Sequence, residues 1–109
     1  MSGQFILKNG EPERCNDLSA WGRFMSDDAA RRVGRDEFDG GYVSTVFLGL
    51  DHNFSARGAP LLWETMIFGG PHDGWQDRYT SRADALAGHL KAVEMAQAVP
   101  VAADAGHGV

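Results

Sequence analysis

A single cysteine, Cys15, stands in 109 residues, so no internal disulfide can form, a usage that suits a reducing compartment. A catalytic thiol needs a base beside it. Arg14, Asn16 and Asp17 supply none, and Cys15 therefore reads as a small core residue. No apolar run approaches the roughly 18 residues that a membrane-spanning helix needs, and the opening MSGQFILKNG lacks the charged-then-apolar pattern of a secretory signal. The expected location is the cytoplasm. A basic surplus is missing as well: the net charge is −5, residues 1 to 60 carry seven basic and nine acidic side chains, and residues 61 to 109 carry three and six. Nonspecific nucleic-acid binding, whose affinity comes mainly from Lys and Arg on phosphates, is disfavoured. Also absent are HExxH, paired CxxC, His-x-His, GxxxxGK[ST], GxGxxG and GxSxG, which leaves common metal, phosphate and serine-nucleophile chemistries without a signature. No cofactor is expected.

What is present reads as a folded domain. Apolar residues make up 43% and charged residues 23%, ordinary values for a globular chain. The length fits one domain over residues 1–99, with residues 100–109, beyond the helix-stopping Pro100, as a flexible tail. The centre is Tyr42 to Gly70, where two β-branched and aromatic runs, Tyr42 to Leu50 and Leu61 to Phe68, flank a polar loop. Apolar residues alternate onto both faces of the first run, which predicts a strand with little solvent on either side. Glu64 is the one charge in either run. The loop DHNFSARGAP is too long for a tight turn, and Phe54 is expected to fold back onto the core.

In chain order, Phe5 to Leu7, the turn dipeptide Asn9-Gly10 and Glu11 to Cys15 predict a hairpin, with Pro12 confining its second strand to an edge. Asn16 or Asp17 caps a helix that places Leu18, Trp21, Phe24 and Met25 on one face, expected to be buried. The polar stretch Ser26 to Gly41 admits a short helix capped by Ser26 or an exposed strand from Arg32, turned by Asp39-Gly40-Gly41. The strand is the preferred reading, because Gly34 weakens a helix. Arg31, Arg32 and Arg35 could grip a phosphate, though acids are interleaved with them. A last strand is read from Trp75 to Thr80. Ser81 and Asp84 then open the final helix, whose expected apolar stripe is Leu86, His89, Leu90 and Val93 beside a small-residue stripe of Ala85, Gly88, Ala92 and Ala96. The fold class is α+β, a mostly antiparallel meander of four to six strands with two helices packed against it.

Asp51, His52, Glu64, His72 and Asp73 are the polar residues that such a hairpin could gather. Asp51, His52, Glu64 and His72 offer oxygen and nitrogen donors for a divalent metal, without diagnostic spacing. A structural reading fits each and is the preferred one: strand-end caps for Asp51 and His52, a hydrogen bond or a place on the exposed face for Glu64, an Asx-type turn for His72-Asp73. His89 reads as a packed, hydrogen-bonded core residue, and His107 lies in the tail. Trp63, Trp75 and Tyr79 are either core or an aromatic binding patch.

The stretch VSTVFLGLDHNF, followed by LLWETMIFGG, a Tyr-bearing strand and a helix with Ala-Gly-His, resembles a family of small bacteriophage and prophage proteins. Members similarly begin with a short strand, a cysteine and a Trp-bearing helix, here Cys15, Leu18 and Trp21. The resemblance covers most of residues 5 to 96, while SARGAP and the tail after Val99 depart from it. It implies no assigned activity, so no catalytic residue carries over. The expected function is a non-enzymatic binding protein of phage or prophage origin, of which an inhibitor of a host defence system, such as an anti-CRISPR, is one kind. It would occlude a basic surface on a host or phage protein, using Asp36, Glu37 and Asp39 together with His52, Asn53 and Trp75. Direct nucleic-acid and membrane contacts are not expected, and a homodimer is compatible with the pattern. The alternatives are a small metal-dependent enzyme at Asp51, His52, Glu64 and His72, or a phage structural or assembly accessory.

Overall fold

The computed structural model describes residues 3–55 and 57–98. The expected tail over residues 100–109, with His107, lies outside them. Two hairpins follow directly from local chemistry. Strands β1 (Phe5–Lys8) and β2 (Glu11–Arg14) pair antiparallel across Asn9 and Gly10, both at positive φ as a tight primed turn requires. Strands β3 (Arg32–Phe38) and β4 (Gly41–Phe47) pair antiparallel across Asp39-Gly40, with a bulge between Arg32 and Gly34. Pairing then continues through β5 (Trp63–Gly69) to β6 (Gln76–Tyr79), giving a four-stranded antiparallel meander in chain order.

The α+β class and the antiparallel meander are as expected, but the six strands divide into a four-stranded and a two-stranded sheet. The first central strand was expected to reach Leu50. It ends at Phe47, and Gly49, at φ +76, diverts the chain toward the first hairpin, where Phe5 N–H donates to Gly49 O and Gln4 bridges Leu50.

Among the described residues three helices are present rather than two. Asp17 caps α1 (Leu18–Met25) through the Ala20 N–H, and Asp27 rather than Ser26 caps the single-turn α2 (Asp28–Arg31). Helix and strand both occur in the stretch where they competed, one following the other. Helix α1 sits at the margin: Trp21 and Phe24 are half-buried, and Leu18, expected inside, is 66% exposed because no layer of the described residues covers that side. Trp21 Nε1 donates to Gly49 O, and Phe24 meets Phe47 edge to face.

Helix α3 (Arg82–Gln97) covers the sheet. Ser81 Oγ accepts from Asp84 N–H, as the capping pattern predicted. The face it buries carries Ala85 and Ala92 of the small-residue stripe and His89 of the apolar one, while Leu86 and Leu90 point outward, Leu90 being 66% exposed. Of the expected apolar stripe, His89 and Val93 lie on the packed side, while Leu86 and Leu90 give way to the alanines because short side chains let the helix backbone approach. Gly88 marks the closest point: a Cβ there would overlap the Tyr79 ring and hydroxyl. No helix among the described residues is long and apolar enough to cross a membrane.

The core has two apolar clusters. One gathers Phe5, Phe47, Leu62, Trp63, Tyr79 and Ala85, the other Val43, Ile67 and Ala92 with Trp75 packed against it. Trp63, Trp75 and Tyr79 thus serve packing, and Cys15 is buried with its thiol donating to Asp17 O at 3.4 Å.

Candidate functional site

Between the two apolar clusters runs a polar layer. Thr45 and Thr65 are register partners on neighbouring strands and both are fully buried. Their hydroxyl oxygens lie 2.5 Å apart, Thr45 Oγ1 lies 2.7 Å from His89 Nδ1, and His89 Nε2 lies 2.7 Å from Asp36 Oδ2. With Nε2–H donating to the Asp36 carboxylate, Nδ1 accepts from Thr45, which accepts from Thr65, so every proton in the chain has an acceptor. Gly34 makes room: a Cβ there would stand 3.0 Å from His89 Nε2. Carboxylate, imidazole and hydroxyl in series have the order of a nucleophilic triad. A nucleophile must meet its substrate, however, and Thr45, at 0% exposure, meets none. The array holds the core together. Next along, Tyr79 approaches Thr65 without forming a well-aligned bond. Burial raises the phenol above its ordinary range, the Thr65 side chain opposes this, and Asp77 adds to it.

The metal candidates do not converge. Asp51 Oδ1 accepts from Asn53 N–H and Leu61 N–H and closes the loop, while His52 Nδ1 lies 2.9 Å from Leu50 O. Glu64 binds Arg78 Nε at 2.9 Å across the strand pair. His72 stands in the turn after β5, whereas His52 lies in the loop before it, so the length of a seven-residue strand, roughly 20 Å, separates them. Asp73, beside it, accepts from Gly69 N–H. Among the described residues no group of three or more His, Cys, Asp or Glu side chains is placed to hold a metal ion.

The expected partner-binding residues also scatter. Asp36 is turned to His89, Glu37 is exposed beside Arg35 at 3.5 Å, and Asp39 is exposed in the β3–β4 turn. Asn53 staples its loop, donating from Nδ2 to Arg57 O and Ala59 O while Oδ1 accepts from Ser55 N–H. With the loop tied to itself in this way, Phe54 is 87% exposed rather than folded onto the core.

The surface that residue pattern alone did not single out is the other face of the sheet. Val43, Thr45 and Phe47 point toward α3, so Tyr42, Ser44 and Val46 point away, and they are only half-buried. Phe68, Met66 and Glu64 lie opposite them on β5, and Arg35 and Arg32 lie opposite Ser44 and Val46 on β3. Tyr42 stacks on Phe68 at 4.7 Å, and Arg35 Cζ lies 3.8 Å from the Tyr42 ring centroid. At one corner of this face, Asp28 and Arg31 of α2 join Arg32, Arg35, Ser44 and Val46 around a hollow of about 160 Å³. The signal was there in the strict alternation of Tyr42, Ser44 and Val46. It was masked because Val46 and Tyr42 read as apolar on a strand taken to be covered on both sides.

No family model, no curated protein and no solved structure matches the chain.

Proposed function

We propose that this is a non-enzymatic binding protein of phage or prophage origin that acts by occluding a surface of a host protein, as inhibitors of bacterial defence systems such as anti-CRISPRs do. The observation that carries the reading is the uncovered sheet face, where Tyr42, Met66 and Phe68 lie half-exposed on the two central strands with Arg32, Arg35 and Arg78 around them. Aromatic residues, Met and Arg are the types enriched where proteins dock, and a paired sheet presents them rigidly, so little ordering entropy is lost on binding. The Asp36–His89–Thr45 array supports a non-enzymatic reading, since its residues stand in catalytic order but its hydroxyl end is fully buried, while Asp36 reaches water at the other end. The docking surface moves accordingly from the acidic strand and the His52 loop to the open face, where charges of both signs lie together.

The test is protection of a phage from a defended host by expression of this chain, with recovery of the bound host component. Met66→Glu and Phe68→Glu should abolish both protection and binding, while Glu37→Lys with Asp39→Lys should leave both intact. The reverse pattern would return the interface to the acidic strand. Loss of neither function in any of these variants would remove the sheet from consideration.

A further inference from the structure

The hollow beside α2 differs in charge from the rest of the molecule. Three arginines and one acid, Asp28, line it, in a chain whose net charge is −5. We infer that this hollow is a binding site for a small phosphorylated ligand, held by its phosphoryl oxygens among Arg31, Arg32, Arg35 and Ser44.

Each arginine is placed differently. Arg31 is half-buried and fixed, its Nε donating to Phe47 O at 3.1 Å and Nη1 to Met25 O at 3.5 Å, which leaves its other N–H groups for an oxyanion. Arg35 lies over the Tyr42 ring, its Cζ 3.8 Å from the centroid, and shares its charge with Glu37 at 3.5 Å. Arg32 is exposed. Among the described residues neither Arg31 nor Arg32 has a carboxylate within ion-pair distance. Ser44 stands opposite Arg35 in the register and adds a hydroxyl.

Phosphoryl chemistry fits this set better than a carboxylate does. A planar guanidinium fork engages two oxygens of one anion, and three forks around one hollow match a group with three terminal oxygens and a double charge. The volume, about 160 Å³, equals roughly five water volumes, room for one phosphoryl group and the first atoms of its carrier. A polymer of phosphates fits poorly, because Asp28 and Glu37 flank the hollow and the wider surface is acidic. This inference rests on the hollow's own donors and not on the proposed host partner, and its test uses the isolated chain.

Inorganic phosphate and a mononucleotide should each titrate the purified protein to saturation at one site, with NMR shifts concentrated on the Ser44 amide and the arginine Nε–H signals. Arg32→Ala should weaken binding about tenfold, the usual worth of one charge-assisted hydrogen bond. Asp28→Asn should tighten it several-fold, an opposite response that general damage to the fold would not produce. Both residues are exposed, and thermal unfolding of each variant checks that the fold persists. Absence of saturation with both probes, or affinities indifferent to both substitutions, overturns the inference. So does a single-stranded oligonucleotide that shifts the same signals when neither small probe does, since the hollow would then be part of a nucleic-acid track.

Discussion

Thr45→Val keeps side-chain volume and shape while deleting one hydroxyl from the middle of the buried polar chain. That hydroxyl has two partners, Thr65 Oγ1 and His89 Nδ1. Its loss leaves both without their bond in a layer where Thr65 is fully buried and His89 nearly so. Each orphaned buried group costs about 1–3 kcal/mol, so Thr45→Val should destabilise the fold by about 3 kcal/mol, a large part of a small domain's stability. Thr65→Val removes an end of the chain. The Thr45–His89 bond survives, and the cost falls to about 1 kcal/mol. The double variant then orphans only His89 Nδ1, so adding Thr65→Val to Thr45→Val should cost nothing or restore stability. Adding His89→Leu should restore more, because the complete network would be replaced by apolar volume and Asp36, exposed to water, keeps its solvation. Urea unfolding followed by tryptophan fluorescence reads all four proteins, with Trp63 and Trp75 in the two core clusters as reporters. At a slope of about 2 kcal/mol per molar urea, Thr45→Val should lower the midpoint by about 1.5 M. Equal costs for the two single variants, or strictly additive effects in the double, would refute the linear chain of bonds.

Gly88→Ala should destabilise despite Ala's helix preference of about 1 kcal/mol, because the new methyl overlaps Tyr79; a higher unfolding midpoint would contradict the close approach of α3. Leu90→Lys should change stability by less than about 0.5 kcal/mol, whereas Ala92→Leu, in a fully buried site against the sheet, should cost about 2 kcal/mol or more. The opposite ranking in thermal unfolding would mean that the large-residue stripe is the one packed. For Tyr79 the folded phenol titrates above the ordinary 10.0 because burial disfavours phenolate. Its contribution is therefore fully present below about pH 10 and is lost as pH rises through the folded value. Tyr79→Phe should flatten the alkaline fall in stability, and a pH profile identical to that of the parent chain would show that Tyr79 is not its source.

Local chemistry made much of the architecture legible. Asn9-Gly10, Asp39-Gly40 and the Ser81 cap are short-range signals, and each lies where the residues alone put it. Packing faces were harder. Which stripe of α3 turns inward depends on how closely the helix can approach, and Gly88 and the alanines decide that only once Tyr79 is opposite. Likewise, the partnership of Thr45 with Thr65 and His89 joins residues 20 and 44 positions apart and exists only in the assembled register. His89 itself was readable as a bonded core residue, though its partners were not. The proposed metal donors looked adjacent because a hairpin was expected to gather them. The rigid length of β5 keeps His72 apart from the rest.

Helix α3 follows every strand of the meander in the chain and packs on all four of them. During synthesis the four strands therefore emerge before residues 82–97, and until those residues arrive the meander lacks its helical cover, with Phe5, Leu7 and Phe24 of the preceding segment packing on the Phe47 cluster but not on Val43 and Ile67. Val43 and Ile67, which pack against Ala92 of α3, are then exposed, a strand-borne apolar surface of the kind that chaperones hold and that aggregates when expression is fast. The charged edge of β3 and the shortness of β6 limit lateral pairing in that interval. A stop codon or pause placed just before Arg82 should accordingly lower the soluble yield relative to the full chain, making the last helix the step on which its yield in a cell depends.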